Sequence, residues 1–286
     1  MHWQKRREKF RQQLATKECI HPGSVFDPVS ARMAESIGFE VGMFAGSVAS
    51  LTVLGDPDLI VLTLSEFAEQ AYRINRATHL PLLVDADHGY GNALNVKRTV
   101  EELETAGVSA LSIEDTELPQ PFGSGGKSRL ISIEEGVGKM RAAVAGRQDP
   151  SLVIAARTSA VSVNGIDDAL DRIRAYQETG VDAIFLIGVK QADHLDQVAE
   201  ACRLPLILGG ASHDMMDRAA MAERGVRISL QGHQPIMAAM QAVYNTLKAL
   251  REGTLPGDLE QVPDKDFVDE FSRAAEFRKW SKLFLD

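Results

Sequence analysis

Six side chains in this sequence are of the types that can hold a cation and a small anion together: Asp85, Asp87, Glu114, Arg157, Ser47 and His233. Asp85 and Asp87 end the apolar run in LPLLVDADHGYGN, residues 80–92. At alternate positions they share one side while the chain stays extended. Two hard oxygen donors side by side suit a cation such as magnesium, and Glu114, after ALSI, offers a third. Acids and glycines after a strand also form turns and caps, so a plain loop is the competing reading of 80–92. Glu114 likewise has a second reading, as the ion-pair partner of Arg157.

Arg157 closes the run LVIAART, where a buried guanidinium is costly unless it meets a carboxylate or phosphate, so the expected substrate is an anion. Ser47, in AGSVAS, offers a hydroxyl and neighbouring N–H groups for an oxyanion or a carboxylate. No GxSxG elbow surrounds it, which argues against a serine-hydrolase nucleophile. His233, in SLQGHQP, can contact substrate or relay a proton near neutral pH, or it can cap a helix. His88 is a weaker candidate, and Asp56, in GDPD, reads more readily as a turn former than as a cation contact.

These residues act together only if the chain brings them to one place. A glycine followed directly by a buried apolar run recurs in IGFEVGMFAG, AGVSALSIED, TGVDAIFLIG and RGVRISLQG, the pattern of a helix end feeding a strand. Filling the gaps gives eight strands, near 23–26, 40–44, 80–84, 110–113, 152–156, 183–187, 204–208 and 227–230. Helical spacing separates them, in segments such as LSEFAEQAYRINRAT, IEEGVGKMRAAVAG and HDMMDRAAMAER. Eight uninterrupted strand–helix units predict an α/β fold of the (β/α)8 TIM-barrel type rather than an open doubly wound sheet. The expected organisation is one barrel domain over 1–286, with the barrel at about 20–250 and a linker and extra helix at 251–286. That last helix carries Phe267, Phe271, Phe277, Trp280 and Phe284, which need a partner surface on this barrel or on another subunit. In a barrel the six residues sit at the C-terminal ends of strands and face one mouth. The long connection 116–132, with Gly123, Gly125 and Gly126, reads as a lid or as a structureless excursion.

The 286 residues, 44% hydrophobic, suffice for a large core, and a net charge of −9 excludes nucleic acid or an anionic membrane surface as the main partner. Two distant cysteines, Cys19 and Cys202, fit neither a disulfide framework nor a zinc site and point to a reducing cytoplasm. The N-terminal MHWQKRREKFRQQL lacks the apolar core of a signal peptide, no run reaches the ~18 apolar residues of a membrane span, and the segment reads as a solvated helix.

Taken together, DADHGYGN, AGSVAS, SIEDT and AART resemble the isocitrate lyase and phosphoenolpyruvate mutase superfamily over nearly the whole chain. VFDPVSAR and QGHQPIMAAMQAVY are most similar to its bacterial oxaloacetate decarboxylase branch. The resemblance implies Asp85 as direct magnesium ligand; because that ion keeps several waters, Asp87 and Glu114 are expected to act on it through water, with manganese a possible substitute. It implies Ser47, Arg157 and His233 as substrate contacts, and a homotetramer whose terminal helix is exchanged between neighbours. The K-[KR]-C-G-H loop of the superfamily's thiol-dependent lyases is replaced here by FGSGGKSRL, without cysteine. The asparagine-bearing loop of the phosphonopyruvate-directed members is missing as well. Where the decarboxylase branch is expected to carry a tyrosine near the end of strand seven, this chain has LGGASH.

The expected reaction is magnesium-dependent decarboxylation of oxaloacetate, or a related 2-oxo diacid, to pyruvate and CO2, the ion acting as a Lewis acid on the enolate. The alternatives are a methylisocitrate lyase-like or phosphonopyruvate-type lyase or hydrolase, a ketopantoate-forming transferase, and a metabolite-binding barrel without turnover.

Overall fold

The computed structural model describes residues 2–286 apart from 213, 214 and 216. Its centre is one eight-stranded parallel sheet in the order β1 to β8. The strands are β1 (Gly23–Ser24), β2 (Gly42–Phe44), β3 (Leu82–Asp85), β4 (Ala110–Glu114), β5 (Val153–Thr158), β6 (Ala183–Ile187), β7 (Leu206–Gly209) and β8 (Val226–Ser229). The sheet curls until Ile20, just ahead of β1, pairs in parallel with Ile228 of β8, its N–H donating to the Arg227 carbonyl at 3.0 Å. The expected α/β barrel is therefore the fold. Its strands are apolar runs because both faces are covered: Leu83, Val84, Leu111, Ile113, Ile154 and Ile184 are all inaccessible to water.

The helices follow from local signals. In α2 (Pro28–Ile37), Asp27 accepts from the Ser30 N–H and Pro28 opens the first turn, while Gly38 at φ 97° ends the helix in the left-handed region. In α4 (Leu64–Ala77), Thr63 and Glu66 form a reciprocal capping box. The short α3 (Gly46–Ala49) starts directly after β2, α5 (Ala93–Thr105) follows β3, and α6 (Ile133–Gly146) follows β4. The short α7 (Ala160–Val163) and then α8 (Ile166–Tyr176), α9 (Ala192–Ala201) and α10 (Arg218–Glu223) continue the alternation. The first part of the predicted helix HDMMDRAAMAER includes residues outside the described set, and α10 accounts for its second half.

Two expectations are corrected. The N-terminal helix α1 (His2–Ala15) is not solvated: Arg6 and Arg7 are 4% exposed, and Phe10 and Leu14 are buried. It closes the base of the barrel, where Arg7 donates to the Val108 carbonyl at 2.9 Å and Arg11 to the carbonyls of Ser151 and Leu152. Carbonyls at that end need donors, and the arginines that read as surface charge supply them. The terminal aromatic segment is two helices, α12 (Lys265–Ser272) and α13 (Ala274–Phe284), separated by Arg273 at φ 62°.

Between them and β8 runs α11 (Gln234–Arg251), of which only Ile236 is buried. Met237, Met240, Tyr244 and Leu247 lie exposed at three- and four-residue spacing. The terminal arm touches its own barrel where Arg32 of α2 donates to the Phe271 carbonyl at 2.8 Å. Among the described residues no helix is long and apolar enough to cross a membrane.

Candidate active site

The strand register assembles the predicted residues. Asp85 lies opposite Ser112, and Glu114 opposite Arg157, on adjacent strands of one parallel sheet. Arg157 donates through Nη1 to Asp85 Oδ2, and its Nη2 lies 3.5 Å from Glu114 Oε2. The guanidinium also stands 5.6 Å from the centre of the Phe185 ring, leaving Nε without a hydrogen-bond partner. Burial opposes its charge, yet Asp85 and Glu114 hold its pKa above the ordinary arginine value. The ion-pair reading of Glu114 is thus present in the structure.

Asp85 Oδ1 accepts from the Ser112 hydroxyl at 3.1 Å and the Asp87 N–H at 3.3 Å. Asp87, at φ 48°, turns its carboxyl against Gly46, where a Cβ would fall 2.6 Å from Oδ1. Glycine is therefore required at 46, where α3 begins, and Ser47 follows it in the chain. Among the described residues no donor reaches the Asp87 carboxyl. Burial, then Asp85, Glu114 and Asp58, push its pKa well above the usual carboxylate range. Glu114 is pushed up by burial too, offset by Arg157 and by the Thr116 hydroxyl that donates to it at 2.7 Å.

His233 does not cap α11 with its side chain; its Nδ1 is 2.9 Å from the Ser24 hydroxyl of β1. Burial lowers its pKa and Asp85 draws it back up, so the ring lies within the field of the acids. His88 is buried with Nδ1 unpartnered, and its pKa falls to about 4 through burial and nearby Lys139.

Three residues here escaped the sequence reading. Asp58, not Asp56, belongs to the acid group: it is open at the rim, yet the enclosing mouth and Asp85 raise its pKa. The paired acids of GDPD were the available signal. Ser24 and Ser112 carried no signal beyond ending or lining a strand. The loop 116–132 is tied at its base, where Thr116 bridges Leu130 and the Ile131 N–H donates to the Asp115 carbonyl, while Phe122 at its tip is fully exposed. Near the expected tyrosine, β7 ends at Gly209, where a Cβ would meet Ile187 at 2.4 Å, and His213 of LGGASH lies outside the described residues.

The donor set fits a hard divalent ion. Four carboxylates, Asp58, Asp85, Asp87 and Glu114, share one guanidinium, and an uncompensated buried carboxylate such as Asp87 calls for more positive charge. Among the described residues no three acidic, histidine or cysteine side chains converge as a cage. An apolar groove of about 540 Å³ lies between α2 and the start of α11, lined by Met33, Ile37, Phe39 and Pro235 among others. Ser24 lines it too, whereas Asp58, Asp85, Asp87, Glu114 and Arg157 do not.

Fold and site together define a parallel (β/α)8-barrel protein with a carboxylate-rich, arginine-bearing mouth at the C-terminal ends of its strands. The chain belongs to the phosphoenolpyruvate phosphomutase family, whose model matches residues 10–251. It is 54% identical to the oxaloacetate decarboxylase of Bradyrhizobium sp. strain BTAi1, over 100% of this chain and 99% of that one. A phosphonopyruvate hydrolase crystallised with oxalate and Mg++ superposes with TM-score 0.86 at 28% identity, covering 98% of this chain and 99% of its own. An oxaloacetate acetylhydrolase in complex with the inhibitor 3,3-difluorooxalacetate gives TM-score 0.85 at 27% identity, over 97% of each chain.

Proposed function

We propose that this protein is a magnesium-dependent carboxy-lyase that converts oxaloacetate to pyruvate and CO2. The observation that carries the reading is the mouth itself: Asp85, Asp87 and Glu114 around Arg157, on a chain about half identical to decarboxylases along its whole length. Asp85 would hold the ion directly, with Asp87 and Glu114 ordering its water, and manganese can replace magnesium. When bound, the ion supplies Lewis-acid stabilisation of the negative charge that develops at the keto oxygen.

The protein's own groups do the rest. Arg157 and Ser47 hold the carboxylate ends of the dianion. His233, with Nδ1 turned to Ser24, offers its other ring nitrogen to the keto oxygen. With the substrate held, the C3–C4 bond breaks, its electron pair passes into the C2 carbonyl, CO2 leaves, and C3 of the enolate then takes a proton. No nucleophile is needed, which agrees with a loop, FGSGGKSRL, that has no thiol to offer. The same loop disfavours a C–C lyase that needs a thiol to protonate its product carbanion.

The exposed apolar side of α11 supports exchange of the terminal helices within a homotetramer. The cysteine usage and the small-molecule substrate fit a cytoplasmic enzyme. Pyruvate formation measured on a panel of oxaloacetate, 2-methylisocitrate and phosphonopyruvate tests the assignment. Turnover is expected with the first, and turnover confined to either of the others contradicts it.

A further inference from the structure

The side chain of Lys139, in α6, is 3% exposed, and its ammonium donates to the main-chain carbonyl of His88 at 2.9 Å. A buried ammonium ordinarily requires a carboxylate. Glu135, four residues earlier in α6, acts on it through its field without an ion pair, while Asp115 accepts from Arg172 at 2.9 Å and from Tyr176 at 2.8 Å, and Glu114 is held by Thr116 and Arg157. Among the described residues none forms an ion pair with Lys139. Its hydrogen bond goes to a carbonyl of the loop that carries Asp87.

That loop needs holding. Asp87 and Tyr90, neither of them glycine, have positive φ, at 48° and 60°, a conformation that persists only where the surroundings fix it. Each carbonyl from 86 to 89 has a donor. Ala86 accepts from the Gly89 N–H at 2.9 Å, Asp87 from the Glu114 N–H at 2.8 Å, and Gly89 from the Thr99 hydroxyl at 3.0 Å. The His88 carbonyl has Lys139, the one charged donor of the four. Gly136, one turn before Lys139, leaves room on α6 for the Tyr176 hydroxyl of α8, which a Cβ there would meet at 2.2 Å.

We propose that Lys139 is a positioning residue of the cation site: its hydrogen bond to the His88 carbonyl locks the left-handed turn that aims Asp87 at the ion. This rests on the magnesium reading of the mouth given above. Residues that orient metal-binding groups typically cost about 10–100-fold in metal affinity when removed.

The test compares wild type, Lys139→Met, which keeps the volume and loses the donor, and Lys139→Gln, which keeps a neutral donor. Two readouts are taken: the magnesium concentration that half-saturates decarboxylation, and the rise in melting temperature caused by magnesium with oxalate. Lys139→Met should need about tenfold more magnesium or worse and show a reduced rise, while Lys139→Gln recovers to within about threefold of wild type. A Lys139→Met protein with wild-type magnesium dependence, or a Lys139→Gln protein no better than Met, overturns the proposal. If Lys139→Met does not fold, Lys139→Gln decides: a loss of about tenfold or more there overturns it. A wild-type protein that responds to magnesium in neither readout defeats the metal reading and this proposal with it. An unaltered variant beside a responsive wild type defeats this proposal alone.

Discussion

Arg157 and Asp85, on strands separated by β4, are ion-paired, so the cation that faces the substrate also neutralises the carboxylate proposed to hold the metal. Both side chains are mostly buried, at 16% and 13% exposure. Breaking such a pair from one side typically costs about 3–5 kcal/mol, because the remaining charge is left without a partner. Arg157→Gln should therefore lower stability by that order in the absence of metal and abolish turnover. It should also bind magnesium more tightly than wild type, since the competing cation is gone. Calorimetric titration of the folded variant measures this, and weaker binding would contradict the arrangement.

Asp87 gives a pH dependence. Its pKa is raised in the native state, so the native protein binds this proton more tightly than the unfolded chain does. The contribution to stability is present below the unfolded value near 3.8 and is lost as pH rises through the raised native value. Asp87→Asn should thus melt higher than wild type at pH 8 without metal, with the difference closing towards pH 4. Magnesium should protect wild type and not the variant. A variant that melts lower than wild type at pH 8 contradicts this account of the acid group.

His88 acts in the opposite direction. Its pKa falls from 6.5 to about 4, so the unfolded chain takes up a proton that the native protein refuses. Its stabilisation is complete above pH 6.5 and is lost as pH falls towards 4, by about 2 kcal/mol between pH 6.5 and 5. Urea midpoints for wild type and His88→Gln should converge over that interval. Parallel curves would show that this histidine titrates alike in both states.

The apolar stripe on α11 predicts assembly. Leu247→Asp places a charge on it, and light scattering should show a smaller species than wild type with the barrel still folded. An unchanged mass would mean that this stripe is not the contact.

The sequence made the barrel legible because parallel strands buried on both faces are written as apolar runs: 183–187 was read to the residue. The acids at strand ends were legible for the same reason, since a charge that stops such a run must face the mouth. What stayed hidden depends on distant partners. Arg7 and Arg11 read as surface charge because the carbonyls they serve lie about a hundred residues or more away. Lys139 was one polar position in an amphipathic helix, its acceptor 51 residues back. Asp56 and Asp58 are indistinguishable in GDPD until the turn chooses which one faces inwards. The break at Arg273 left no mark in the hydrophobic pattern of the last helix.

The central claim is metal-dependent decarboxylation at Asp85, and one assay addresses it directly. Pyruvate release from oxaloacetate is followed for wild type and Asp85→Ala, with magnesium and with a chelator, after subtraction of the slow metal-only reaction. The account predicts turnover by wild type with magnesium, none above the blank with chelator, and none by a folded Asp85→Ala under either condition. Chelator-resistant turnover, or an Asp85→Ala protein as active as wild type, would contradict it.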